Sequence, residues 1–443
     1  MARLSHTSAT CGPGAEENVG DRAIAAVRRR LLPFMFLLYI VSYLDRINVG
    51  FAALQMNADL HFNGAVYGLG AGIFFVGYFA FEIPSNLILH RVGARKWIAR
   101  IMISWGITAG AMSLVRTPTT FYIMRFVLGL AEAGFFPGML LYLSQWFPAK
   151  GKARAIALFM TATAVAGVIG GPLSGALLKL DGLVQLRGWQ WLFLLEGAPA
   201  VVLGLVVLAY MTNTPAEAKW LGVQERTWLI ACLDREHISK AVQQKSNARI
   251  ALCSGQVWAS SVLYFTIVMA MYGVGFWLPL IVKGLSGASD GTVALITALP
   301  YLSAVIVMVP VARHSDETGE RRWHIAGSCV VAAVGLLATA ATRSPILAIA
   351  SLCVAASGMW SSLGPCWSLP MAVLSGEAAA AGLALINSVG NLGGFAGPYL
   401  VGLVRRTTNS FAAGLAILAL GLLLGATIAV TFPKVVPLDL RPD

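Results

Sequence analysis

Charge is scarce in this sequence. Of 443 residues, 12% are charged and 57% are apolar, against about 25% and about 45–50% in a soluble globular chain. The mean hydropathy is +0.74. A soluble fold of this length could not hide so much apolar surface behind so few charges. A soluble enzyme, a disordered chain and a secreted disulfide scaffold are therefore poor fits, and lipid is the expected solvent. Cysteine is also sparse: Cys11, Cys232, Cys253, Cys329, Cys353 and Cys366 are scattered without a CxxC pair, so neither a zinc site nor a disulfide framework is indicated. The six histidines form no cluster, HExxH is missing, and no GxSxG has plausible triad partners, which argues against a membrane enzyme. No nucleotide-binding Gly-rich loop ends in Lys-Ser/Thr, so an ATP-driven pump is not expected. Residues 1–30 hold Glu16, Glu17 and Asp21 before Arg28, Arg29 and Arg30, unlike a cleavable signal peptide.

What is present is length in apolar runs. A membrane span needs about 20 mostly apolar residues. That window finds twelve, roughly 31–53, 65–89, 97–115, 119–146, 155–178, 189–211, 256–282, 291–312, 323–341, 345–370, 379–403 and 411–432. The polar stretch 212–254 divides them into two six-helix bundles, 31–211 and 255–432, flanked by an N-terminal segment 1–30 and a tail 433–443. The predicted fold class is an all-α membrane protein of two pseudo-symmetric bundles. The formal net charge of +12 would suit nucleic acid, but position decides otherwise. Of the 32 Lys and Arg, 23 fall on the side of the N-terminus, seven on the other, and Arg46 and Arg125 within spans. The bias predicts both termini in the cytoplasm and removes the need for a nucleic-acid partner.

The halves are related by a fixed offset. His90-Arg91-Val92-Gly93-Ala94-Arg95-Lys96 follows the second span, and Asp316-Glu317-Thr318-Gly319-Glu320-Arg321-Arg322 follows the eighth. Gly93 and Gly319, Arg95 and Arg321, and Pro172 and Pro398 are each 226 residues apart. A duplicated helical unit is the build of secondary transporters, whose site lies near the bilayer midplane between the repeats.

The two loops resemble the paired signature loops of the major facilitator superfamily, roughly Gly-x-x-x-Asp-Arg-x-Gly-Arg-Arg. Asn86 stands where Gly is usual, His90 where Asp is usual, and Glu317 where Arg is usual. The resemblance implies a cytoplasmic gate built from Arg91, Arg95, Asp316 and Arg321, with Glu82 as the substitute acid for the first loop. Three further blocks are similar to the anion:cation symporter branch of that superfamily. They are Tyr43-Leu44-Asp45-Arg46-Ile47-Asn48-Val49-Gly50-Phe51-Ala52, Phe81-Glu82-Ile83-Pro84-Ser85-Asn86, and Arg125-Phe126-Val127-Leu128-Gly129-Leu130-Ala131-Glu132-Ala133-Gly134. From Tyr43 to about Trp105 the chain looks most like bacterial tartrate-transporter permeases. That branch implies uptake of organic anions, such as tartrate, sugar acids or aromatic acids, with protons.

Charges inside spans cost several kcal/mol and need a reason. The deep ones here are Asp45, Arg46, Glu82, Arg125, Glu132 and Glu196, all in the first half. Asp45 lies about 21 Å along the first span, Arg125 about 9 Å into the fourth from outside, and Glu132 about 20 Å in. An anionic substrate needs a fixed positive charge, and Arg offers a planar two-pronged donor. Arg46 is the first choice, with Arg125 either sharing the substrate or held by Asp45. A proton carrier needs a carboxyl that responds to desolvation, which suits Glu132, with Asp45 as gate or second proton site. The alternative is that these four charges only lock the helices, and for Glu82 and Glu196 helix bracing is favoured. The uncharged half is expected to contribute Trp367, Ser368, Asn387 and Asn391, with Tyr43 and Tyr78 opposite. The cluster of Gly167, Gly170, Gly171 and Pro172 is expected to be a bend or packing face.

The resulting expectation is a monomeric, proton-driven, alternating-access importer of a small organic anion in a bacterial inner membrane, without metal or cofactor. Competing expectations are a drug or metabolite exporter on the same scaffold and a non-transporting sensor. Two arginines in spans favour an anion over a cationic drug.

Overall fold

The computed structural model describes residues 13–243, 253–373 and 376–432. Among them the chain is built from helices and has no strand. In chain order the longer helices are α1 (Pro13–Asp59), α2 (Gly64–Val92), α3 (Ala94–Ala111), α4 (Pro118–Glu132), α5 (Phe135–Trp146), α6 (Ala149–Met160), α7 (Ala162–Leu178), α8 (Gly188–Tyr210) and α9 (Val223–Gln243). The second half continues with α10 (Gly255–Ser286), α11 (Asp290–Ile296), α12 (Ala298–Thr318), α13 (Arg322–Ala341), α14 (Pro345–Val373), α15 (Gly376–Thr408) and α16 (Ala412–Thr431). Ten segments are long and apolar enough to cross a membrane, and they match ten of the expected spans. The other two, 31–53 and 379–403, lie inside α1 and α15. The chain is a multi-pass membrane protein. Residues 433–443, 244–252 and 1–12 of the expected tail, linker and N-terminal segment lie outside the described residues.

Helix ends follow local chemistry. The Thr117 hydroxyl accepts from the Thr120 amide, and the Thr120 hydroxyl accepts from the Thr117 amide, so orphan donors at the start of α4 are satisfied from within. Pro118 adds a residue pre-set for a first turn. Asn63 caps α2 through Val66, and Ser289 caps α11 through Thr292.

Four spans depart from the expected single helices; the fifth divides into α6 and α7, and the eighth into α11 and α12. The first helix runs 47 residues, about 70 Å, so part of the N-terminal segment continues the span. This extension packs on α9: Arg22 pairs with Glu225 at 3.6 Å, and Arg30 lies over the Tyr210 and Trp220 rings. The expected fourth span breaks between α4 and α5. Gly134 takes φ +86° there, and a Cβ on it would sit 2.1 Å from Ser85 Oγ. That serine donates to the Ala133 carbonyl at 2.7 Å and accepts from Trp97 Nε1 at 3.0 Å. Backbone freed by the break is thus satisfied inside the protein, as lipid depth requires. Glu132 becomes the last residue of α4.

The two halves press together at one end through small residues. A Cβ on Gly68 would be 2.6 Å from the Pro398 carbonyl, one on Gly72 2.8 Å from that of Phe395, and one on Gly171 2.2 Å from that of Ala294. Backbones approach this closely only where no side chain intervenes. The Gly167–Pro172 cluster is therefore a packing face, with Gly167 against the Tyr301 ring. Gln55 and Asp290 also meet across the halves at 3.4 Å.

Candidate functional site

The in-span charges sort into three groups once the helices are packed. Arg46 and Glu132 form a buried ion pair, with side-chain exposures of 8% and 1%. The same Glu132 oxygen accepts from Ser42 Oγ at 3.0 Å. The other end of the Arg46 guanidinium donates to the Tyr272 hydroxyl at 3.1 Å. Sequence depth put Glu132 well below Arg46, yet they touch. Side chains lean toward the N-terminus of their own helix. On antiparallel α1 and α4 that tilt sends Arg46 and Glu132 toward each other, and the long Arg stem spans the remainder. Phe74 and Tyr78 flank the guanidinium, their ring centroids 5.4 and 5.3 Å from it.

Tyr272 belongs to the second half, and it stands 226 residues after Arg46. The repeat offset therefore names the two residues that face each other across the pseudo-twofold axis. Tyr272 was not among the expected site residues. The repeat offset added to Arg46 gives this residue.

Arg125 does not join Arg46 or meet Asp45. It is fully buried, and it donates from Nε to the Gly70 carbonyl at 3.2 Å and from Nη2 to the Ala71 carbonyl at 3.0 Å. Its tilt carries it toward the start of α4, onto the glycine-rich face of α2, where backbone carbonyls are accessible. Asp45 also turns away from its neighbour Arg46. It accepts from Trp105 Nε1 at 2.6 Å and from Asn48 Nδ2 at 3.0 Å. Consecutive helical residues point about 100° apart, so sequence adjacency did not produce a pair.

Glu82 forms the third group. Helix bracing was favoured for it, and the gate was its other assignment. It is buried and bonds Asn387 Nδ2 and, at 3.4 Å, Ser388 Oγ, both in the opposite half. Asn391 is turned toward the same carboxyl. Nine residues of helix, about 14 Å, separate Glu82 from Arg91. Tyr78 lies between Glu82 and the Arg46–Glu132 pair. Trp367 stacks edge-on against Tyr264 with centroids 4.9 Å apart, and its Nε1 donor has no partner. Ser368 is half-buried and bonds its own helix at Gly364. Tyr43 is buried, with Tyr39, Tyr272 and Tyr301 around it.

The signature-loop residues pair within their own halves. Asp316 and Arg321 form an ion pair at 2.5 Å, and Arg321 also donates to Ser315. The Arg95 amide donates to Asn213 Oδ1 at 3.0 Å. Among the described residues neither Arg91 nor Arg95 has an ion-pair partner.

Comparison with known proteins bears on this arrangement. The family model described as Major Facilitator Superfamily matches residues 35–398. The chain belongs to the Major Facilitator Superfamily. Within it, the chain is 49% identical over 416 residues, 94% of its length and 92% of the other's, to a protein of Agrobacterium vitis named "Putative tartrate transporter". It is 40% identical to the quinolone resistance transporter of Acinetobacter baumannii, over 91% of this chain and 93% of that one. Identity is also 40% to the inner membrane transport protein RhmT of Escherichia coli, over 93% and 95%. Among solved structures, a bacterial homologue of the human lysosomal transporter Spinster, inward-facing and occupied, superposes with a TM-score of 0.73 at 18% identity, over 91% of this chain and 96% of that one. A D-xylose–proton symporter gives 0.71 at 15% identity, over 92% and 98%. These two share the superfamily fold, whose halves here meet at Arg46–Tyr272 and Glu82–Asn387.

Proposed function

We propose that this superfamily member imports a small organic anion, a tartrate-like hydroxy acid, sugar acid or aromatic acid, together with protons across a bacterial inner membrane. One observation carries the reading: a single buried guanidinium, on the interface between the halves, is shared by Glu132 and Tyr272. A substrate carboxylate can use the two-pronged donor of Arg46 only if Glu132 gives it up. A proton on Glu132 removes that competitor and cancels the charge it would leave uncompensated in a buried site. Proton and anion thus favour each other's binding, a reciprocal coupling in the sense of linkage. Tyr272 lets the second half sense the event directly. Tyr78, Asn387, Asn391 and the unpartnered Trp367 donor offer uncharged groups to orient the rest of the anion. The proton gradient is the energy source, and the loaded, charge-compensated centre lowers the cost of rocking the halves.

The relationship to proteins named for tartrate supports the substrate class. The test is uptake of an acid panel into proteoliposomes, with and without a pH gradient. Glu132→Gln is expected to abolish gradient-driven accumulation and spare exchange of internal for external anion. Arg46→Ala is expected to abolish both. Wild-type accumulation by Glu132→Gln would overturn the coupling role.

Drug export is the second reading, favoured by the 40% identity to the quinolone resistance transporter. A quinolone carries a carboxylate that the same guanidinium could hold. Counterflow of a fluoroquinolone against the same acid panel distinguishes the two.

A further inference from the structure

The proposed coupling makes no use of the first turns of α1. A cavity of about 380 Å³ opens there, between Arg22 and Arg29 of α1 and Trp220, Leu221 and Glu225 around the start of α9. Its walls are fixed from behind. A Cβ on Gly20 would be 2.5 Å from the Trp228 ring, so α1 and α9 lie in direct contact. Trp220 is held between Arg30, 5.1 Å from its ring, and Trp146, stacked at 5.4 Å. The charges of the cavity are not matched from within. Glu225 meets Arg22 only at 3.6 Å, and the Arg22 side chain is 57% exposed, so this is an ion pair without a hydrogen bond. Arg29 forms no ion pair among the described residues. Two guanidiniums against one carboxylate leave one positive charge uncompensated.

The same face of α1 changes character along its length. Arg22, Ala26, Arg29, Pro33, Leu37 and Ile40 follow one another at steps of three and four, so they form a single stripe, and each is exposed or half-buried. Val27, Leu31, Met35 and Leu38 are buried on the opposite side of the helix. The stripe therefore faces away from the packed protein. From Leu31 onward the helix is apolar, and there the stripe faces lipid. Arg29 stands two residues before that run, about 3 Å along the axis, within the headgroup layer that flanks the hydrocarbon. Pro33 has no N–H, so the Arg29 carbonyl loses its helical donor and stays open as an acceptor. A positive charge and a free acceptor at headgroup depth, continued by an exposed apolar strip, are complementary to an amphiphile. It would bring a phosphodiester with one net negative charge, a hydroxyl on the headgroup and an acyl chain. A soluble phosphate would use only the first of these features.

We propose that the cavity between α1 and α9 binds the headgroup of a singly charged anionic phospholipid, with its phosphate on Arg29 and Arg22 and an acyl chain along Pro33 and Leu37. The site is separate from the Arg46–Glu132 pair and does not depend on what the carrier transports.

The test is native mass spectrometry of the full-length protein in detergent, titrated with phosphatidylglycerol and with phosphatidylcholine. Phosphatidylglycerol is expected to bind first and more tightly. Arg22→Gln and Arg29→Gln are each expected to weaken it about fivefold. Arg28→Gln removes the same charge from another exposed face of α1, and it is expected to leave binding unchanged. An equal loss in Arg28→Gln would reduce the effect to general charge attraction and overturn the site, as would equal binding of the two lipids. Glycerol phosphate at matched concentration is expected not to displace the lipid. Displacement would make this a site for soluble phosphates and overturn the lipid assignment. If the arginine variants do not fold, the wild type still decides. At one lipid per protein, phosphatidylglycerol with a photoreactive acyl chain is expected to label α1 between Pro33 and Ile40, and labelling confined to other helices would overturn the proposal.

Discussion

Replacing Glu132 by Gln isolates the competition at Arg46. Gln keeps the shape of the side chain and the bond from Ser42, but it cannot carry charge. In the wild type, an anion reaches the guanidinium only after Glu132 is protonated or displaced. If one proton enters with each anion, each rise of one pH unit costs binding up to about 1.4 kcal/mol, a tenfold weakening. Over about three such units the wild-type Kd should rise by up to about a thousandfold. Glu132→Gln should bind with a flat profile, at the affinity the wild type shows in acid. The variant also leaves Arg46 without its carboxylate among buried neighbours, and breaking a buried pair from one side costs about 3–5 kcal/mol. The unliganded variant should consequently be less stable than wild type, and the anion should restore more of that loss at alkaline pH than it does for wild type. Isothermal titration across a pH series with tartrate and a sugar acid gives the Kd slope, and thermal unfolding with and without the acid gives the stability. A variant that keeps the wild-type slope would refute the reasoning. So would a flat profile in the wild type, since Glu132 would then not compete.

Other residues give further outcomes. Tyr272→Phe removes one hydrogen bond to Arg46, and with a net hydrogen bond worth about 0.5–1.5 kcal/mol the Kd for the anion should change by no more than about tenfold; loss of exchange at unchanged Kd would show that the hydroxyl couples the halves. Arg125→Gln should lower thermal stability, because two backbone carbonyls of α2 lose a charged donor at about 1.5–3 kcal/mol each. Its Kd for the anion should stay near wild type, and a lost affinity would return Arg125 to the site. Gly68→Val places a side chain where a Cβ already lies 2.6 Å from the Pro398 carbonyl. The halves should then part at that end, and a cysteine introduced at Phe395 should label faster; unchanged labelling would contradict the packing described.

Much of the fold was readable in the sequence because lipid imposes a simple rule. A span is a long apolar run whose backbone satisfies itself, so α2, α3, α8 and α10 to α16 follow from composition. The break after Glu132 was less legible. The run from Phe121 to Trp146 stays apolar through it, and Gly134 is one glycine among 46. What makes that glycine special is Ser85, 49 residues earlier, whose hydroxyl fills the space a Cβ would need. The charges of the first half were conspicuous as residues, since charge at lipid depth is costly. Their partners were not. Asp45 and Arg46 are adjacent in sequence and diverge in space, while Arg46 and Glu132 are 86 residues apart and touch.

The amino-acid sequence by itself determined that the chain crosses a membrane in two related halves, and it supplied the short set of residues that lipid would expel without a purpose. Burial cost alone is enough for that, because it acts on each residue separately. Which carboxyl holds which guanidinium was decided only by tertiary structure. An ion pair depends on helix direction, side-chain tilt and the few ångströms between facing helices, and none of these is local to a stretch of sequence. The same holds for Glu82, which meets Asn387 of the opposite half, and for Glu196, which accepts from Ser174 of a neighbouring helix.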